Sequence, residues 1–598
     1  MPYSVREDEK LEEKVNIEII RRLFKYLKPF KKDIFIVLFF IAIVMVVDLI
    51  NPYFLKITID RYIKNKDLKG LFTIGLLILI LNFISALSAK KRIIKMADIT
   101  NKVLLNIRQD LYSHIQKLSL SFFDERPVGK ILARIIGDVN SLSNLFNMSI
   151  TNLIPDTVLV ISAMAIMLSL NFKLALFTLS PLPFTALVLF SIQTISRRRW
   201  QEVRKKLSNL NAFTHENFQG IRVVKYFTAE NYRGNIFKDL AWEVRNAFIR
   251  AVRINDLFWP MVEFSWGLGT LITYYFGVKM IARGEITLGL LVAISSYIYI
   301  FWRPIMNLSN LYNTLLTSMA SAERIFEILD IKPAIEERED AIDLDIKGDV
   351  EFRNVSFSYD GKRKVLDNVS FKVKAGEKIA LVGHTGAGKT TIINLICRFY
   401  DVDEGEVLID GVNIKNIKLE SLRKQIGVML QDTFLFSGTI MDNIKYGKLD
   451  ATDEEIIEIC QWVYAHSFIS SLEKGYYTDI KERGIRLSTG QRQLVSLART
   501  LIADPKILIL DEATASVDTQ TERILQRGIN KLLEGRTAFI IAHRLSTVQN
   551  VDRIMVVEDG KIVEMGTHEE LMNKKGIYYS MFMSQFKYWN KEEKDLAS

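Results

Sequence analysis

Cysteine is almost missing from this chain. Its 598 residues hold two, Cys397 and Cys460, both in the second half and without metal-ligand spacing. A disulfide framework and a cysteine-based metal centre are therefore excluded, and both thiols are expected to fill a core in a reducing compartment. Proline is sparse, at 11 residues. A cleavable leader is not expected either, because the stretch from Met1 to Lys32 is charged and polar. The net charge is +10, but the basic residues are not gathered into an arm or stripe. That dispersal argues against nucleic-acid binding and fits the basic flanks of membrane helices. What the chain does have is apolar residues, 49% of the total, beside 25% charged ones. The pairing points to a membrane part joined to a soluble part, and the length to at least two domains.

Apolar runs long enough to cross a bilayer, about 20 residues each, fall at six places in the first half. The first is near Ile34 to Ile59 and the second near Leu71 to Ala89. The third and fourth lie between Leu145 and Ile195, parted at Asn171-Phe172-Lys173. The fifth runs from Leu257 to Ile281 and the sixth from Leu288 to about Leu308, separated by Ala282-Arg283-Gly284-Glu285. Links after the second and fourth spans are long, polar and helical in pattern, so they are expected to project from one face as rods. Lys31-Lys32, Lys90-Lys91-Arg92 and Arg197-Arg198-Arg199 flank that face and make it cytoplasmic. Arg61, Lys64, Lys66 and Lys69 in the first short loop argue the other way and are outvoted. Ionisable residues within spans include Asp48, Glu263 and Arg303. Such groups either pair with one another at a water-filled cavity or serve a substrate or proton. Trp259, Trp266, Tyr299 and Trp302 either line that cavity or sit at interfaces.

After about Ala320 the pattern turns to short β-rich runs, glycine turns and amphipathic helices. The strand-like Lys378-Ile379-Ala380-Leu381-Val382 runs straight into Gly383-His384-Thr385-Gly386-Ala387-Gly388-Lys389-Thr390-Thr391. With a strand before and an apolar helix after, this is a phosphate-binding loop in its required setting. Its glycines let backbone N–H groups wrap phosphates at a helix N-terminus. Lys389 is placed to reach the β- and γ-phosphates, and the Thr390 hydroxyl to ligate Mg2+. Ile507-Leu508-Ile509-Leu510 ends in Asp511-Glu512. Asp511 is expected to hold the metal and Glu512 to polarise the attacking water. Leu487-Ser488-Thr489-Gly490-Gln491, a small polar cluster opening a helix, offers donors to a second face of a phosphate.

Loop, polar cluster and paired carboxylates in this order resemble the ATP-binding cassette (ABC) exporter family, from about Ile19 to Tyr588. The resemblance implies an N-terminal all-α six-helix transmembrane domain followed by an α/β phosphate-loop NTPase with a helical subdomain. The implied divisions are 1–33, an elbow segment; 34–325, the membrane domain; 326–347, a linker; and 348–590, the cassette. By the same resemblance Tyr359 stacks on adenine, Gln431 contacts Mg2+ and senses the membrane domain, Asp518 lies at the dimer seam, and His543 contacts the γ-phosphate. Asp479 to Gly484 resembles the exporter X-loop. Ser121-Phe122-Phe123-Asp124 with Gly129 resembles the first coupling helix, and Phe213 to Ile221 the second.

One departure stands out. The family signature has two glycines after Leu-Ser, and here the first is Thr489. A β-branched residue there is expected to hinder or reshape the approach of backbone to phosphate. In the family each ATP lies between one cassette's phosphate loop and the other's signature, so a second half-transporter is implied. A heterodimer, with this chain supplying Lys389, Glu512 and His543 to the competent site, is the favoured expectation; a homodimer or lipid flippase tolerating threonine stays open. The expected cargo is a drug-like or lipid-like amphiphile, moved outward across a cell membrane with the N-terminus and cassette cytoplasmic. An importer is disfavoured by the N-terminal fusion. An ATP-gated channel or regulatory protein on the same fold would show conductance or signalling without net transport.

Overall fold

The computed structural model describes residues 17–429, 433–511, 519–541 and 551–584. It divides into two compact units: 1–116 with 127–331, and 117–126 with 332–598.

The first unit is helical. After α1 (Ile17–Leu27) come α2 (Lys31–Ile57) and α3 (Leu68–Lys117). The second unit borrows α4 (Leu120–Glu125) from this part of the sequence. The first unit resumes with α5 (Val128–Leu132), α6 (Val139–Met148), α7 (Ile154–Leu170) and α8 (Phe172–Leu179). It ends with α9 (Leu182–Gln219), α10 (Ile221–Tyr226), α11 (Glu230–Asn255), α12 (Phe258–Ala282) and α13 (Leu288–Asp330). All six expected spans fall on helices. Four helical stretches, Glu18–Ile63, Leu68–Lys117, Val128–Leu170 and Phe172–Gln219, are long and apolar enough to cross a membrane by themselves. Leu288–Pro304 is a shorter apolar stretch.

Local chemistry explains the punctuation. The break expected at Asn171 is a helix junction: Asn171 is extended (φ −159) and its side-chain oxygen accepts from Leu174 N–H at 2.9 Å. The expected rods are present, since α3 runs on for 50 residues and α9 for 38. Where helices cross in the apolar layer, hydroxyls pair. Thr178 meets Thr273 at 2.7 Å, and Thr185 donates to Ser265 at 2.9 Å. Small polar pairs of this kind hold helices that lipid gives no hydrophobic reason to associate.

Farther along α13 a buried carboxylate gathers several donors. Asp138, on the π-helical turn Ala133–Asp138, accepts from Arg134 at 2.9 Å, Ser321 at 2.9 Å and Arg324 Nε at 3.0 Å. Ser318 adds a bond to the Ser141 carbonyl at 2.9 Å. At the end of α13, Asp330 takes a bidentate grip from Arg22 of α1 at 2.6 and 2.7 Å.

The second unit carries two sheets. One is antiparallel, ordered β2-β1-β4-β5, from β1 (Val350–Phe357), β2 (Leu366–Val373), β4 (Glu404–Ile409) and β5 (Val412–Asn413). The other runs β10-β9-β3-β8-β7-β6. Its members are β3 (Lys378–Val382), β6 (Ile426–Met429), β7 (Ile507–Asp511), β8 (Thr537–Ile541), β9 (Arg553–Glu558) and β10 (Lys561–Gly566). From β9 to β6 its neighbours are parallel, and β10 closes the edge antiparallel to β9. β3, β7 and β8 are buried nearly throughout, as a sheet covered on both faces requires. Helix α14 (Lys389–Ile396) follows β3. A second apolar cluster surrounds α16 (Ile440–Lys445), α17 (Asp453–Trp462), α18 (His466–Ser470) and α19 (Thr489–Ile502), the expected helical subdomain. (α15 is the short helix Leu419–Lys424.) Cys397 and Cys460 are both buried and free, and burial pushes each thiol up to about 12.

Asp138→Asn should destabilise the protein by about 1–3 kcal/mol, because two arginines lose their charge partner. The check is a lower apparent melting midpoint for the solubilised chain; an unchanged midpoint would show the cluster to be incidental.

Candidate functional site

Strands β3 and β7 flank β8, with Leu381 and Asp511 both in register with Ile541. The phosphate loop and the carboxylate strand therefore end together, at the carboxyl edge of a parallel sheet, where such sheets bind ligands. The loop leaves β3 at Gly383 and enters α14 at Lys389. Gly383 has φ +152, and a Cβ there would lie 2.1 Å from the Val557 carbonyl oxygen. Gly388 has φ +110, and a Cβ would come within 2.8 Å of Leu366 and 3.2 Å of the Val365 carbonyl. Any larger residue at either position is barred by conformation and by space.

Lys389 is buried, and its ammonium donates to the carbonyls of Gly383 at 2.7 Å and His384 at 2.9 Å. Burial lowers its pKa from the ordinary lysine range, and the negative charge of Asp511 works against that shift. His384, Thr385, Gly386 and Thr390 are exposed along the loop, while Ala387 and Thr391 are buried. Exposed hydroxyl at Thr390 and carboxylate at Asp511 are hard oxygen donors. They suit Mg2+, which takes one or two protein ligands and fills its octahedron with water and phosphate. Among the described residues no group of three or more His, Cys, Asp or Glu could hold a metal by itself.

Tyr359 stands beside this loop, half exposed, its hydroxyl 3.2 Å from Thr391 Oγ1 and accepting from Asn394 at 3.2 Å. Those bonds fix the ring next to α14. Phe357 packs edge-on against it at 4.9 Å.

The polar cluster opens α19. Ser488 is its N-cap, with a reciprocal capping box: Gln491 N–H donates to Ser488 Oγ at 3.3 Å and Ser488 N–H to Gln491 Oε1 at 2.9 Å. Thr489, expected to hinder or reshape the approach of backbone to phosphate, sits in regular helix. Thr489 is the first helical residue, is exposed, and accepts from Arg492 Nη2 at 3.2 Å. Gly490, next in the helix, is buried. Ahead of it the X-loop holds two non-glycine residues at positive φ, Lys481 and Arg483. Gln431, Glu512, Asp518 and His543 lie outside the described residues; Glu512 follows Asp511 directly and His543 follows Ile541 by two positions.

One pair escapes a reading of the sequence. Tyr400 stands edge-on to Tyr359 at 5.0 Å and tilted against Phe357 at 5.6 Å, and its hydroxyl donates to Asp124 of α4. Beside it Phe122 is buried, with the Arg126 guanidinium over its ring at 4.7 Å. Asp124 and Tyr400 are 276 residues apart, so no local signal joins them. The other expected coupling segment, Phe213 to Ile221, covers the end of α9, Gly220 and the first residue of α10.

Tyr400→Phe keeps the ring and removes the bond to Asp124, a loss of about 1–2 kcal/mol. Amide hydrogen exchange in Leu120–Glu125 should rise roughly tenfold while ATP affinity stays within about twofold. Unchanged exchange would show that the bond does not hold α4.

Residues 34–305 match the ABC transporter transmembrane region and residues 366–515 the ABC transporter domain. The chain is 43% identical to YknV of Bacillus subtilis, an uncharacterised ABC transporter ATP-binding protein, over 97% of this chain and 96% of that one. It is 35% identical to an ATP-dependent lipid A-core flippase of Syntrophus aciditrophicus, over 96% and 95% respectively. A bacterial Atm1-family ABC exporter solved with ATP bound superposes with a TM-score of 0.79 at 28% identity, covering 93% of this chain and 98% of that one. Phosphate loop, carboxylate strand and a membrane region fused ahead of them thus converge: the chain belongs to the ABC transporter family, in its exporter form, and is an ATP-hydrolysing translocase.

Proposed function

We propose that this chain is one half of a heterodimeric exporter of amphipathic, drug-like or lipid-like molecules. It would sit in the cell membrane with its N-terminus and cassette on the cytoplasmic side. The observation that carries the dimer is the exposed opening of α19. Ser488 and Thr489 present the positive end of a 14-residue helix to solvent, which suits a phosphate held by another cassette's loop. A second observation agrees. Around α10, Tyr226 and Phe227 are 83% and 79% exposed, with Phe218 and Val223 beside them. An apolar surface of that kind calls for cover by a partner.

Each residue of the site then has a task. Tyr359 takes the adenine ring, the loop from Gly383 to Thr391 wraps the phosphates, and Lys389 moves its ammonium from the loop carbonyls to the phosphate oxygens. Thr390, Asp511 and Gln431 would hold Mg2+, which neutralises phosphate charge. Glu512 orients and deprotonates the attacking water, and His543 stabilises charge on the γ-phosphate. Asp518 lies at the seam between cassettes. Two ATP molecules favour the closed pair of cassettes, since only a ligand that binds the two states unequally can shift them. α4 carries the closure to the membrane helices, which open outward; hydrolysis resets them. A drug-like or lipid-like cargo is in keeping with the lipid A-core flippase among its relatives.

The alternative is a homodimer. It is favoured by the regular helical backbone at Thr489, which does not itself demand glycine.

Mg2+-dependent ATPase of the chain alone, reconstituted in lipid, separates the two. The heterodimer reading expects turnover at least about tenfold below that of a Thr489→Gly variant. Fast wild-type turnover, abolished in Glu512→Gln, would establish the homodimer instead. Glu512→Gln should bind ATP and stay closed; hydrolysis at the wild-type rate would remove Glu512 from its role.

A further inference from the structure

Inside the first unit, two charges from distant parts of the sequence meet in the apolar layer. Arg303 of α13 donates through Nη2 to Asp48 of α2 at 3.2 Å. The helices are pinned at this level, because the Tyr297 hydroxyl donates to the Leu49 carbonyl at 2.6 Å. Asp48 lies about 25 Å along α2 from Lys31, and Arg303 about 22 Å along α13 from Leu288, at 1.5 Å per residue. Both fall within the apolar runs expected to span the bilayer, Ile34 to Ile59 and Leu288 to about Leu308.

The pair is not covered by protein. Arg303 is 45% and Asp48 27% exposed at the side chain. Opposed to lipid tails, that exposure would be costly, so the open side belongs to the polar interior of the bundle. Further polar groups adjoin it. Asn51 lies one turn along α2 from Asp48 and exchanges amide bonds with Asn82 of α3 at 3.2 and 3.4 Å. Tyr299, four residues before Arg303 on the same helix face, is also exposed. Glu263, also within a span, makes no ion pair among the described residues.

We infer that the Asp48–Arg303 pair recognises the head of a zwitterionic amphiphile carrying a phosphate and an ammonium. This rests on the exporter reading and names its substrate class. A lone basic residue would select an anion and a lone acid a cation. A contacting, half-exposed pair of opposite charges is complementary to a head that carries both. Opening it trades one ion pair for two. The phosphate goes to the guanidinium, whose planar fork suits two phosphate oxygens. The ammonium goes to the Asp48 carboxylate. Net charge in the apolar layer stays at zero before and after, which a purely anionic or cationic cargo would not allow.

The test is native mass spectrometry of the delipidated full-length chain with phosphatidylethanolamine, phosphatidylglycerol and diacylglycerol of identical tails, and with tail-free glycerophosphoethanolamine. The wild type should retain phosphatidylethanolamine about tenfold better than the other two lipids. Weak binding of the tail-free head would mark a lipid rather than a soluble zwitterion as the source. Asp48→Asn should turn the preference toward phosphatidylglycerol, because Arg303 then carries an unbalanced charge; a merely structural pair would not redirect it. Arg303→Gln should lose both. Should Arg303→Gln not fold, wild type and Asp48→Asn still decide. Equal retention of all three lipids by the wild type, or an unchanged preference in Asp48→Asn, would overturn the inference. Lipid retention needs neither ATP nor a partner chain, so ATPase assays on the same preparations test the exporter reading separately.

Discussion

The phosphate loop is the constraint on which the second unit depends. At Gly383 the chain passes so close to the Val557 carbonyl that no side chain fits, and at Gly388 it turns against Leu366 in a conformation left to glycine. Those contacts tie the loop to β9 on one side and β2 on the other, so the two sheets together set the loop's shape. Lys389 is held ready on the loop's own carbonyls. Asp511 stands two strands away, its charge already acting on that lysine. An arrangement made before ligand arrives spends little of the binding free energy on reorganisation.

From that centre the structure reaches outward along aromatic rings. Tyr359, held by Thr391 and Asn394, touches Tyr400, and Tyr400 holds α4 through Asp124. The ring expected to stack on adenine is thus one contact from the helix expected to carry the power stroke. In the first unit, order comes from a few polar contacts between long apolar helices: Thr178 with Thr273, Asp138 with Arg324, Asp48 with Arg303.

What the sequence made legible was what neighbours in the chain decide. A strand running into glycines and Lys389, the helix break at Asn171 and the uninterrupted helicity of Leu68–Lys117 all follow from adjacent residues, and the structure has each of them. Gly220 parts α9 from the short helix Ile221–Tyr226. The partners of Asp48, Asp124 and Asp138 were not legible. They are 255, 276 and up to 186 residues away, and packing alone brings them together. Thr489, the one departure from the family signature, lies in the first turn of a helix whose cap is Ser488.

The central claim is that a preformed loop around Lys389 binds the nucleotide that drives transport. Calorimetric titration of MgATP into the purified full-length chain, wild type beside Lys389→Ala, tests it most directly. The account predicts saturable binding by the wild type and an affinity at least about tenfold weaker in the variant, with the melting midpoint retained. Equal affinity in the two proteins would contradict it.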